Sequence, residues 1–256
     1  MKLINKTTFI TGASAGIGLA CAQKFAEQGS NLILLARRKE KLEQVADEIR
    51  NNYPVKVLTS TVDVRNYEEI KKLLDTLPAE FQKIDILINN AGKALGLSKI
   101  YEADLADWEE MIDTNIKGLL YCSRLIIPGM VARNEGLIIN IGSLAGHEVY
   151  PSGNVYCGTK SFVRAVSKGM IIDLNGTNVK VTNIDPGLVE TEFSEVRFHG
   201  DKERASQVYV GYKPLTGEDI AEIAIFTATR PQHVQIQEIF VTPTAQATAT
   251  IVSKRT

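Results

Sequence analysis

The feature that most constrains this chain is an alternation. Short β-branched apolar runs take turns with longer segments whose apolar residues recur every three to four positions. The strand candidates are Thr7–Thr11, Asn31–Ala36, Val55–Thr61, Ile84–Ile88, Gly136–Ile141, Lys180–Ile184 and Ile236–Val241. Between them the spacing predicts helices near Ile17–Gln28, Arg38–Asn51, Tyr67–Leu77, Leu105–Arg133, Val155–Leu174 and Gly217–Ala228. Strands that read as continuous apolar runs need cover on both faces. The order therefore predicts the α/β class, as a Rossmann-type doubly wound parallel sheet of about seven strands.

No internal repeat and no Pro/Gly/Ser-rich linker divides the 256 residues, so a single domain over 1–256 is expected. One long irregular segment, about 187–215, follows Pro186-Gly187 and has the length of a lid over a binding site. The tail, about 245–256, alternates Ala and Thr without helical period and reads as an arm reaching a neighbour.

Composition narrows the function classes. Hydrophobic residues make 44% and charged residues 23%, which excludes disordered, collagenous and coiled-coil chains. With 29 Lys plus Arg against 30 Asp plus Glu, the net charge of −1 leaves no footprint for nucleic acid or an anionic membrane. Three scattered cysteines, Cys21, Cys122 and Cys157, suit neither a disulfide framework nor a zinc cluster, and no metal is expected. No run approaches the ~18 apolar residues that span a bilayer, and the first residues lack a signal-peptide core. Without a secretion signal, the sequons Asn5-Lys6-Thr7 and Asn175-Gly176-Thr177 are best explained by chance. The expectation is a cytoplasmic protein whose partner is a small molecule.

The first strand ends in Thr11-Gly12-Ala13-Ser14-Ala15-Gly16-Ile17-Gly18, and a helix begins inside it. Glycines there permit a tight turn and let the backbone approach a pyrophosphate, which the helix N-terminus attracts. Gly-x-x-x-Gly-x-Gly differs from the Gly-x-Gly-x-x-Gly dinucleotide fingerprint, and no Gly-Lys-Ser/Thr follows to make a P-loop. A nucleotide loop is favoured over a structural turn.

The second strand sharpens that reading. An NAD-selective protein places Asp or Glu near its end, whereas this chain has Ala36-Arg37-Arg38. A guanidinium there suits a 2′-phosphate, so NADP(H) is expected; Arg38 equally reads as the start of a solvated helix face. Asp63-Val64 closes the third strand, where the carboxylate either accepts from an adenine amino group or caps the helix starting near Asn66. Asn89-Asn90-Ala91-Gly92 closes the fourth, as a turn beside the cofactor or an ordinary one.

Tyr156 and Lys160 stand four apart at the start of a helix, on one face, with Cβ atoms about 5–6 Å apart. An ammonium one turn away is expected to lower the tyrosine pKa from its usual value near 10 towards a useful range. Ser143 follows the strand Gly136–Ile141, at the carboxyl edge where open α/β sheets bind ligands. Tyr-x-x-x-Lys alone is common on helices; joined to Ser143 and the glycine loop, in that order, it is highly specific.

At these residues the sequence resembles the short-chain dehydrogenase/reductase family, from Thr7 to about Thr242. The resemblance implies a nicotinamide cofactor and a catalytic tetrad of Asn115, Ser143, Tyr156 and Lys160. Tyr156 is implied as general acid in reduction and base in oxidation, with Ser143 bonding the reacting oxygen. Lys160 is implied to hold the ribose hydroxyls, and Asn115 a water linking Lys160 to solvent. Pro186, Gly187 and Thr191 are implied to lie against the nicotinamide and its carboxamide, and Val189 to bind the cofactor with them. The cofactor set is thus Gly12, Ser14, Gly16, Ile17, Gly18, Arg37, Arg38, Asp63, Val64, Asn90, Tyr156, Lys160 and those four. Read from the residues alone, Asn115 is a lone Asn inside a helix, a kink or a cap.

Four stretches, Asp85–Gly96, Tyr150–Gly153, Leu188–Arg197 and Phe240–Thr244, resemble the family's NADP-dependent 3-hydroxy acid dehydrogenase branch. Thr242-Pro243-Thr244 replaces the Asp-Gly-Gly common in acyl-carrier-protein reductases. The branch implies small 3-hydroxy acids as substrates: serine, allo-threonine, or the 3-hydroxyisobutyrate and 3-hydroxypropionate type. Alternatives are a reductase of other small carbonyls such as sulfonated aldehydes, and a non-catalytic nucleotide-binding regulator.

Ser143, Tyr156 and Arg197 are the expected substrate contacts. Arg197 is the only Lys or Arg between Lys180 and Lys202. It reads either as the clamp for a substrate carboxylate or as a solvated arginine among Glu190, Glu192 and Glu195. The family is usually tetrameric, and two long apolar helices, Leu105–Arg133 and Val155–Leu174, suit packing against copies of themselves, so a homotetramer is expected.

Overall fold

The computed structural model describes residues 2–254. Seven strands form one sheet in the order β3-β2-β1-β4-β5-β6-β7, every neighbouring pair parallel. They are β1 (Thr7–Thr11), β2 (Asn31–Ala36), β3 (Val57–Thr61), β4 (Ile86–Asn89), β5 (Gly136–Ile141), β6 (Val179–Pro186) and β7 (Glu238–Val241). The expected sheet is therefore the observed one.

Side chains of a strand alternate between faces, so each central strand feeds two cores. Leu32 and Leu34 of β2 join one, packed with Phe25 of α1 (Gly16–Glu27), Leu42 of α2 (Lys39–Asn52) and Ile220. Ile33 and Leu35 join the other, with Ile70 of α3 (Tyr67–Asp75), Cys122 and Ile126. This two-sided burial explains why the strands carry unbroken apolar runs.

The expected helix over Leu105–Arg133 is interrupted. α4 (Leu105–Ile112) passes through a π-helical turn, Asp113–Gly118, into α5 (Leu119–Arg133). Apolar periodicity carries across the extra residue of a π turn, so the pattern reads as one helix. α6 (Asn154–Asp173) follows β5.

The segment after β6 is more ordered than expected. It contains α7 (Phe193–Arg197) and α8 (Lys202–Gln207), too short to show a period, before α9 (Gly217–Ala228). Asp201 caps α8 by accepting from the Arg204 amide at 2.9 Å. The segment's two ends are joined where Val189 and Leu215 form a parallel bridge.

The tail also differs from its reading as an arm. Its described part folds back on its own chain: Gln246 and Val252 pair antiparallel, and the Ala249 amide donates to Glu148 at 2.7 Å. Short polar side chains let this piece satisfy its backbone locally. Arg255 and Thr256 lie outside the described residues.

Candidate active site

The strand order reverses between β1 and β4, and open α/β sheets bind ligands outside the carboxyl ends of strands at such a point. A cavity of about 660 Å³ lies there. Every site residue expected from the sequence lines it except Gly18 and Asn115.

Gly18 acts from behind the turn. A Cβ at that position would stand 2.3 Å from the Gly12 carbonyl oxygen, so only glycine allows α1 to begin so close to β1. Gly16 has φ +54°, in the left-handed region. The residue before α1, Ala15, provides no side-chain cap, which leaves the first amides of the helix facing the cavity as an anion site. Asn90 shapes the same turn by donating to the Thr11 and Gly12 carbonyls at 2.9 and 3.2 Å.

At the other end, Arg38 donates to Ser14 Oγ at 3.1 and 3.3 Å and to Glu192 at 2.6 Å. Lys41 donates to the second Glu192 oxygen at 2.7 Å. The Lys41 hydrogen bond, with help from Arg38, overcomes burial and holds the Glu192 carboxyl below its usual range. A carboxylate thus sits between two cations beside the glycine loop, an arrangement whose donors fit a 2′-phosphate equally well.

Arg37 lies instead 3.5 Å from Glu110 and 3.9 Å from Asp63. Asp63 receives Arg65 on both oxygens, bonds that outweigh burial and keep its carboxyl low. The cap of α3 is Asn66, which accepts from the Glu69 amide, and not Asp63. The structure thus excludes the cap reading of Asp63, whose carboxylate lines the cavity.

Tyr156, Ser143 and Lys160 meet beyond the end of β5. Tyr156 and Lys160 are buried on α6, and Lys160 Nζ donates to the Ile141 carbonyl at 2.8 Å. Burial brings the Lys160 ammonium down to about 8, with the negative charge of Asp185 opposing the fall.

Tyr156 corrects an expectation. Its phenol is pushed above the usual value, because burial outweighs the Arg197 charge and a hydrogen bond from Ser143. The leading cation acting on Tyr156 is Arg197, not the lysine one turn away. The Arg197 guanidinium lies 5.1 Å from the Tyr156 ring centre and 5.0 Å from that of Phe193. It donates to Tyr150 Oη at 2.8 Å, while its buried Nε has no partner among the described residues.

Asn115 sits in the π turn and ties two elements to it. Its Nδ2 donates to the Lys93 carbonyl at 2.8 Å and to Thr159 Oγ1 at 3.0 Å, and its Oδ1 accepts from the Lys93 amide at 2.9 Å. The position is the kink that a lone mid-helix Asn suggested.

Sequence reasoning did not single out Lys41 or Gln246, named Tyr150 only within a longer stretch, and set Glu192 beside Arg197, whereas Glu192 pairs with Arg38 and Lys41. Lys41 stands three residues after Arg38, a helical neighbour that a second basic residue near a phosphate signals. Gln246 accepts from the Leu188 amide at 2.8 Å beside Pro186-Gly187; nothing in its local sequence marks that long-range bond.

The comparisons with known proteins agree with this geometry. The short chain dehydrogenase family model matches residues 6–202. The NADP-dependent 3-hydroxy acid dehydrogenase YdfG of Salmonella typhi is 49% identical, over 94% of this chain and 96% of that one. The NADP-dependent 3-hydroxy acid dehydrogenase of Schizosaccharomyces pombe is 43% identical over 99% and 98%. Among solved structures, the closed form of serine dehydrogenase complexed with NADP+ superposes with a TM-score of 0.92 at 45% identity, over 98% of this chain and all of that one. With the family model matched over most of its length and relatives nearly half identical from end to end, the chain belongs to the short chain dehydrogenases.

Proposed function

We propose that this NADP-dependent oxidoreductase of CH–OH groups interconverts small 3-hydroxy acids with the corresponding 3-oxo acids or semialdehydes in the cytoplasm. Serine, allo-threonine and acids of the 3-hydroxyisobutyrate or 3-hydroxypropionate type are the substrates in view. The observation that carries the reading is Arg197: a guanidinium with an unpartnered buried Nε, held against the Tyr156 ring at the cavity wall. A carboxylate satisfies that donor, and the relatives' names point to the same substrate class. A panel of 3-hydroxy acids, neutral alcohols and sulfonates, each with NADP and NAD, tests it. The acids with NADP should give the highest kcat/KM; a neutral alcohol or a sulfonate that equals them would overturn it.

The residues divide the work as follows. The glycine loop and the α1 N-terminus would hold the diphosphate, and Arg38, Ser14, Lys41 and Arg37 would be the donors for the 2′-phosphate. When bound, the cofactor would supply the hydride chemistry, as acceptor in oxidation and donor in reduction. In oxidation, Tyr156 Oη takes the hydroxyl proton as the C–H bond breaks, and in reduction it returns that proton to the oxygen. Ser143 bonds the same oxygen and keeps it in line with the phenol. Lys160, still charged at neutral pH, favours the phenolate once the site is assembled. Phe193, Tyr150 and the tail residue Ala249 screen the reacting atoms from water.

Two variants test the cofactor end. Arg37→Asp and Arg38→Asp should each lower the NADP-to-NAD ratio of kcat/KM, by about 10- to 150-fold where a charge-assisted bond is lost. The larger effect is expected at Arg38, which shares the site with Ser14 and Lys41. A ratio unchanged in both would place the phosphate elsewhere.

A homotetramer completes the proposal. Leu105, Ile112, Val131 and Ile172, on α4, α5 and α6, are large apolar side chains left exposed in the single chain. Elution as a monomer in size-exclusion chromatography with light scattering would remove the tetramer.

A further inference from the structure

Beneath the reacting groups lies a carboxylate with no part in the mechanism above. Asp185, near the end of β6, is fully buried. Its Oδ1 accepts from the Ser143 amide at 2.8 Å. Its Oδ2 accepts from Asn183 Nδ2 at 2.6 Å and lies 3.0 Å from His147 Nε2. The fit leaves no slack: a Cβ on Gly142 would stand 1.9 Å from Asp185 Oδ1. His147 sits 3.7 Å from Glu238 on β7, which receives Arg164 of α6 at 2.8 Å. A chain of polar contacts therefore runs from the protein surface to the backbone of Ser143.

A buried ionised carboxylate is costly unless it is bonded and paired, so one that is held in place this firmly calls for a reason. His147, Asp185 and Glu238 stand within ligating distance of one another, yet their oxygens are already engaged by Ser143, Asn183 and Arg164. That arrangement serves the neighbouring site better than it serves an ion.

We propose that Asp185 is a positioning residue for the reaction, fixing the Ser143 backbone and setting a negative charge beneath Tyr156 and Lys160, with His147 as its outer partner. The inference rests on the reading of Ser143, Tyr156 and Lys160 as the reacting set. The charged groups around Asp185 are Lys160, Tyr156 and Arg164 on α6, His147 after β5, and Glu238 on β7. Burial lowers the Lys160 value, and Asp185 is the group that opposes this. Without that charge Lys160 loses its proton at lower pH, and the Tyr156 phenol, which the same charge holds up, also ionises at lower pH, so the whole profile is displaced towards acid. Burial pushes the Asp185 carboxyl up, and the His147 bond pulls it back towards the charged form.

The test is the pH profile of kcat for 3-hydroxy acid oxidation at saturating NADP. In Asp185→Asn the alkaline limb should move to lower pH. Above neutral pH the variant should therefore lose activity before wild type does. NADPH affinity, read by fluorescence, should stay within about threefold, since the cofactor-binding surface is kept. A uniform loss at every pH, or a profile like that of wild type, would overturn the proposal, because a structural role alone lowers activity without moving the limb. If Asp185→Asn does not fold, His147→Phe at the partly exposed end serves instead. Loss of the His147 bond raises the Asp185 value, so its charge is lost on the acid side, the Tyr156 phenol is freed of it, and the acid limb should move to lower pH; an unmoved limb overturns the proposal. Tyr156→Phe run alongside separates the two readings, since full activity in that variant would remove the reacting set itself.

Discussion

Tyr156→Phe is expected to abolish turnover, lowering kcat by about 100- to 10,000-fold or more, while NADPH binding stays nearly intact. The ring packs at 5.7 Å from Phe193 and lies against the Arg197 guanidinium, and both contacts survive the loss of one oxygen. What disappears is the hydroxyl beside Ser143 in the cavity, the group proposed to exchange a proton with the substrate oxygen. Because burial holds the phenol above its usual value, proton loss from Tyr156 limits oxidation on the acid side, and rate should rise with pH until Lys160 deprotonates. Single-turnover measurement of hydride transfer at 340 nm checks the prediction directly. Activity within tenfold of wild type would remove Tyr156 from proton transfer.

Arg197→Leu should lower kcat/KM for 3-hydroxy acids by on the order of 30- to 4,000-fold. The figure follows from roughly 2–5 kcal/mol for leaving a desolvated charge unpaired, at about 1.4 kcal/mol per factor of ten. Leucine keeps apolar contact with Phe193 and Tyr156 but offers nothing to a carboxylate. Oxidation of a neutral alcohol by the same variant should fall much less. Equal losses on acid and alcohol would show that Arg197 shapes the lid only, through Tyr150 and its backbone bond to the Gly96 amide. No loss on either would take it out of the site.

The parts of this molecule that were legible share a cause. β1, β2 and β5 were placed to the residue because each run is bounded by a glycine, a serine or a charged residue: Lys6 and Gly12, Ser30 and Arg37, Glu135 and Gly142. β7 is half exposed, and its start was misjudged by two residues. The glycine loop and the Tyr156–Lys160 pair were legible because backbone geometry and helical spacing act over a few residues. Asn115 was found only through the family resemblance: its partners, Lys93 and Thr159, are 22 and 44 positions away. Asp185 and Gln246 were missed for the same reason, each reaching across more than 40 residues. Arg197 was visible as an isolated cation, but its choice between solvent and substrate depended on where α7 would lay it.

The π turn at Asp113–Gly118 sets a limit for anyone who would make this protein sturdier. Deleting one residue from those six would restore regular α-helical bonding, a change that in isolation favours stability. The same deletion would turn everything before it by about 100° relative to α5. Met111 would leave the small apolar group it forms with Tyr156 and Ala145, and Asn115 would swing away from Lys93 and Thr159. Cys122, Ile126 and Met130 would stay under the sheet, so the chain would keep its fold and lose its workshop. At these six residues robustness and usefulness pull apart, and thermostabilising redesign belongs elsewhere on the molecule.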